Sequence, residues 1–114
     1  MSAKEDGRVD LTRVAAELVG DLGNHASGRT ARTIVHGSGL RTVVMALDTG
    51  RELADHKAPG PAVLQVLRGE LELRWEGEVA VLREGELIPI PDAIHAVHAQ
   101  TRCAFMLSVA LPSA

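Results

Sequence analysis

The chain has 114 residues, 46% hydrophobic and 24% charged, with a formal net charge of −3; this is the balance of one ordinary globular domain, small enough that pairing with a second copy would hide more surface. Acidic and basic residues are interspersed, which excludes the basic footprint of a nucleic-acid binder. Trp75 and Phe105 are accompanied by no tyrosine, which argues against recognition by stacking on bases or extended sugar chains.

The N-terminal decapeptide MSAKEDGRVD is charged and is followed by no apolar stretch of signal-peptide length. No segment reaches the ~18 apolar residues of a membrane span. A cytoplasmic protein, bound neither to membrane nor to nucleic acid, is expected. From Asp10 the period is helical: Leu11, Val14, Ala15, Leu18, Val19 and Leu22 form one stripe. Asp10 is suited to cap the start and Gly23 to end the helix. This single helix has no partner helix with which to read DNA.

After the loop at 23–29 the period changes to two. Nine strands are predicted, at 30–36, 40–48, 52–56, 62–67, 70–76, 78–82, 87–90, 95–99 and 102–111, separated by turn residues. In ELELRWE, Leu71, Leu73 and Trp75 share one face while the charged residues share the other, the pattern of a half-buried strand. CAFMLSVAL is apolar on both faces, which predicts a barrel interior on one side and a second sheet or subunit on the other. That double cover makes a homodimer the expected state. Its single Cys103 has no disulfide partner in the chain and reads as a small buried core residue. The domain division is 1–29 for helix and loop and 30–114 for one strand-built domain, a sandwich or a barrel.

Two segments resemble the paired motifs of the cupin superfamily. The first, DTGRELADHKAPGPAVLQVLRGELEL, carries Gly50, His56 and Gly69 at the family's glycine, first-histidine and closing-glycine positions. The second, REGELIPIPDAIHAV, carries Gly85, Pro91 and His95, with Asp92 or Ala93 where a glycine is common and a turn one residue short. The resemblance covers about half the chain, 49–97. It implies an all-β fold, a small jelly-roll cupin β-barrel preceded by one N-terminal α-helix, of the small bacterial H-x-x-P-G type. Gly69 and Gly85 are placed at tight reversals, and Pro89 and Pro91 at a sheet edge, near the barrel mouth.

In metal-binding cupins the resemblance implies two histidines and a glutamate from the first motif and one histidine from the second. Here Ala58 and Ala62 stand at the second-histidine and glutamate positions, so two of the four donors are missing. Strand alternation places Glu52 on the face of His56, so His56, His95 and Glu52 form a possible two-histidine, one-carboxylate set for iron, manganese, zinc or nickel. His98, three residues beyond His95, and Gln65, three beyond Ala62, point the other way. His25 and His36 read as ordinary loop or surface residues. For His56 and His95, structural hydrogen bonding, pocket lining and metal ligation all stay open.

Two functions follow. The first is a binding module whose interior, lined by Leu64, Val66, Leu71 and Leu73, holds a small, mostly apolar ligand oriented by His56 and His95. The second is a metal-dependent dioxygenase or isomerase of the cupin type, and acid and base chemistry by the two imidazoles without metal is a further option.

Overall fold

The computed structural model describes residues 6–112; the outermost residues of the predicted 1–29 and 30–114 units, including the start of the charged N-terminus, lie outside them. Helix α1 spans Leu11–Asp21, with Asp10 accepting a hydrogen bond from the Arg13 backbone N–H at 3.1 Å. The expected glycine terminus is corrected. The helix tightens into a 3₁₀ turn at Leu22–Asn24, with Gly23 inside it and outside the left-handed region. Leu22 is only 1% exposed, and the turn's i→i+3 bond, from the His25 N–H to the Leu22 carbonyl, satisfies a helix-end acceptor without a left-handed residue.

All nine predicted strands form, with ends shifted by no more than one residue: β1 Arg29–His36, β2 Leu40–Leu47, β3 Glu52–His56, β4 Ala62–Arg68, β5 Glu70–Trp75, β6 Glu78–Arg83, β7 Leu87–Pro89, β8 His95–Ala99 and β9 Cys103–Ala110. They build two antiparallel sheets, one ordered β1-β2-β9-β4-β7 and the other β3-β8-β5-β6. Single-residue Gly69, at φ 79°, joins β4 in the first sheet to β5 in the second. A Cβ there would collide with the Arg102 carbonyl and the Thr101 hydroxyl, so both the backbone angle and the space demand glycine. β7, with Pro89 at its end, is an edge strand, where the missing N–H leaves no ladder bond unmade.

The inward rows of both sheets meet in one core containing Leu47, Leu53, Leu64, Val66, Leu71, Leu73, Val97, Cys103 and Phe105. Burial pushes the Cys103 thiol up to about 11, which leaves it a protonated packing residue. The second cluster corrects the expected cover of β9. Its outer face, beginning at Ala104, lies not under a second sheet but under α1, whose Val14, Ala15, Leu18 and Val19 pack on Val44, Ala46 and Ala104. The alanines let the helix approach, and the apolar stripe at Leu11 to Leu22 is the element that satisfies the doubly apolar strand. Among the described residues, no helix is long and apolar enough to cross a membrane.

Candidate functional site

His56 ends β3 and His95 begins β8, and the antiparallel pairing of these strands sets the two residues directly opposite one another. Their ring centroids are 4.5 Å apart with planes tilted by 57°. Imidazoles 39 positions apart in sequence thus converge at one end of the space between the sheets, as the paired motifs predict. His95 is 2% exposed, whereas His56 is exposed at the rim.

The His95 Nδ1 lies 3.1 Å from the Ala93 carbonyl oxygen. A carbonyl only accepts, so Nδ1 carries a proton, and the tautomer this selects for the neutral ring has its lone pair on Nε2. No side-chain nitrogen or oxygen is both occluded and unpaired among the described residues, and Nε2 makes no protein hydrogen bond, so this acceptor is reachable from outside. Partial desolvation, and secondarily the neighbouring His95, lower the His56 pKa from its ordinary 6.5, against a backbone hydrogen bond to Ala54. The His56 ring is therefore biased toward its neutral, hydrogen-bonding form.

The two rings border a cavity of about 290 Å³. Its walls are Val43 and Met45 from β2, Leu107 and Val109 from β9, and Ile90 before β8, while Ala58 and Pro59 close the side and Arg41 stands at the β2 end. A pair between Lys57 and Asp92, 3.3 Å long and exposed, links the two loops at this rim; such exposed pairs contribute little to stability. The expected lining of Leu64, Val66, Leu71 and Leu73 is corrected. These four side chains are 0% exposed and belong to the packed core below the cavity. Alternation identified the inward face correctly, but each inward row runs from an open end to a filled one. On β2 it passes from Arg41 through Val43 and Met45 to fully buried Leu47. The signal for the true lining was the row of β2 and β9 residues nearest the strand ends that pair with the rim.

Glu52 is corrected as well. The β3–β8 ladder pairs Leu53 with Val97 but His56 with His95, so three steps on β3 face two on β8. This bulge reverses the alternation between the ends of β3. Leu53 and His56 both point inward, and Glu52, opposite His98, points outward to Arg74 at 3.6 Å. His98 accordingly faces away from His95, as expected, and Gln65 lies outside the buried alternate row Ala62, Leu64 and Val66.

A resident divalent metal asks for three or four protein donors. Ala58 borders the cavity and Ala62 is buried, and neither carries a donor; Glu52 is turned away. No group of three His, Cys, Asp or Glu side chains converges among the described residues. The two imidazoles do not by themselves fit a tightly held metal.

No family model and no curated protein matches the chain. Solved structures do. A conserved protein of unknown function from Streptococcus pyogenes is 31% identical, aligned over 82% of this chain and 87% of that one, with a TM-score of 0.70. An RmlC-like cupin from Shewanella frigidimarina is 20% identical over 76% of this chain and 79% of its own, at a TM-score of 0.69. Salicylate 1,2-dioxygenase from Pseudoaminobacter salicylatoxidans, solved in adducts with gentisate, is 21% identical at a TM-score of 0.70; 87% of this chain aligns with 31% of that enzyme. The likeness to the last two is one of fold.

Proposed function

We propose that this chain, which has the cupin jelly-roll fold, is a small-molecule-binding barrel whose ligand enters at the His56–His95 end. The carrying observation is the pair of facing imidazoles at the edge of an apolar-walled cavity, one of them locked by the Ala93 carbonyl. A cavity of about 290 Å³ sits at the lower end of the range for ligand sites, and a few polar groups in an apolar wall are what fix a ligand's orientation. It corresponds to the liquid volume of about ten waters at ~30 Å³ each, which suits a compact molecule and excludes a polymer chain.

His95 supplies an acceptor at Nε2, and His56, nearer solvent, supplies a donor or acceptor according to its tautomer. The Val43, Met45, Leu107 and Val109 walls exclude water from the rest of the ligand. Apolar contact of that kind stabilises by about 25 cal/mol for each Å² removed from water.

Thermal unfolding against a panel of small metabolites, combined with elemental analysis of protein purified without a chelating tag, tests this reading. A metal-free protein whose Tm rises by about 10 °C at a hundredfold excess over Kd is the expected result. Near-stoichiometric iron, manganese, zinc or nickel that disappears in His56→Ala and His95→Ala would replace the binding module by a metal centre.

A further inference from the structure

We propose that the cavity takes a small molecule with an apolar body and a single carboxylate, anchored by Arg41. The proposal rests on the ligand-pocket reading above and names the class of ligand. Arg41 is the permanently charged side chain bordering the cavity, and neither Asp nor Glu borders it. Among the described residues, six arginines are matched with acids, Arg74, Arg83 and Arg102 among them; of those that are not, Arg41 is the one that borders the cavity. Arg41 has no carboxylate within ion-pair distance among the described residues, and the nearby Lys57 is engaged by Asp92.

The position of Arg41 gives the ligand a direction. On β2 it pairs with His36 of β1 and Val109 of β9, and its inward row continues downward as Val43 and Met45. Charge is therefore at the mouth and hydrocarbon below it. A guanidinium offers a rigid planar fork that a carboxylate fills with two parallel hydrogen bonds. One permanently charged fork in the lining matches a monoanion; a phosphate monoester dianion would leave charge uncompensated. The His95 acceptor then suits a hydroxyl or amide N–H on the same ligand, deeper than the carboxylate.

Calorimetric titration of the full chain with butyrate, hexanoate and benzoate, each against its uncharged amide, tests the assignment in the wild type, Arg41→Gln and Arg41→Lys. The acids should bind about tenfold or more tightly than the amides, the gain of a charge-assisted over a neutral hydrogen bond. Arg41→Gln should bring each acid down to the affinity of its own amide, and Arg41→Lys, which keeps the charge but loses the fork, should fall between. Equal binding of acids and amides by the wild type overturns the carboxylate assignment and leaves the pocket reading standing. A preference that survives in Arg41→Gln removes Arg41 as its source. Failure of every acid and every amide to bind overturns both.

Discussion

At the scale of single residues, His56 carries a pH signature. Its folded pKa is depressed, so between that value and the ordinary 6.5 the unfolded chain binds more protons than the folded one. The stability this represents is present above about pH 6.5 and is lost as pH falls through the folded pKa. Asp21 and Asp48 are also lowered, by hydrogen bonds to Asn24 and Arg102 first, but their losses begin only near pH 4. Melting curves between pH 7 and pH 5 should therefore fall more steeply for the wild type than for His56→Gln; parallel curves would mean that the ring feels neither desolvation nor His95. The pairing of His56 and His95 was legible because two motifs, each anchored by glycines, gave both positions independently. The orientation of Glu52 was not, since nothing in ELADH marks the extra residue that reverses its face. Arg41 was missed for a different reason: it lies outside both motifs, in a strand whose importance depends on which end of the barrel is open.

At the scale of elements, period-two alternation between turn residues located all nine strands, and Gly69 shows why the punctuation was dependable. Its left-handed φ and the crowding by Arg102 and Thr101 admit no side chain. The stripe of α1 was equally plain, but its partner was not. An apolar face on a strand and an apolar face on a helix each announce a need for cover, and only the fold shows that they cover each other. Leu18, 4% exposed in that interface, gives a direct measure. Leu18→Ala should lower stability by about 2–4 kcal/mol, the usual cost of emptying a buried leucine site, as read from denaturant midpoints. Ligand affinity should be unchanged in the folded variant, because α1 packs on the face of β2 and β9 opposite the cavity. A loss below about 1 kcal/mol would mean that the helix is only loosely docked.

At the scale of the whole molecule, the rolled sheets bring the motif histidines together, and the family resemblance foresaw that closure. Depth within the barrel was illegible, since parity in a strand specifies a face and says nothing about how far down a side chain sits. The helix takes part of the apolar surface that suggested a second copy, because it covers the outer face of β9 at Ala104. Another apolar surface remains: Val79, Val81 and Ile94, which are 55%, 47% and 61% exposed, with Val79 and Val81 on the outward row of β6. Solvent-exposed aliphatic residues gathered in this way are a common basis for association. A homodimer through this surface is the expected state, with light scattering giving twice the 12.1 kDa chain mass and the double substitution Val79→Lys, Val81→Lys giving a single chain. A monomeric wild type at working concentration removes the expectation.

The slip in β3 lets one short strand serve two ends that a regular pleat would set against each other. With strict alternation, an inward His56 forces Leu53 out to solvent and leaves a hole at the centre; an inward Leu53 turns the imidazole away from the entrance. One surplus position between them permits both. Among related chains, deleting the one surplus position between these two sites should therefore turn either the leucine or the imidazole out of the interior, whatever residues flank them.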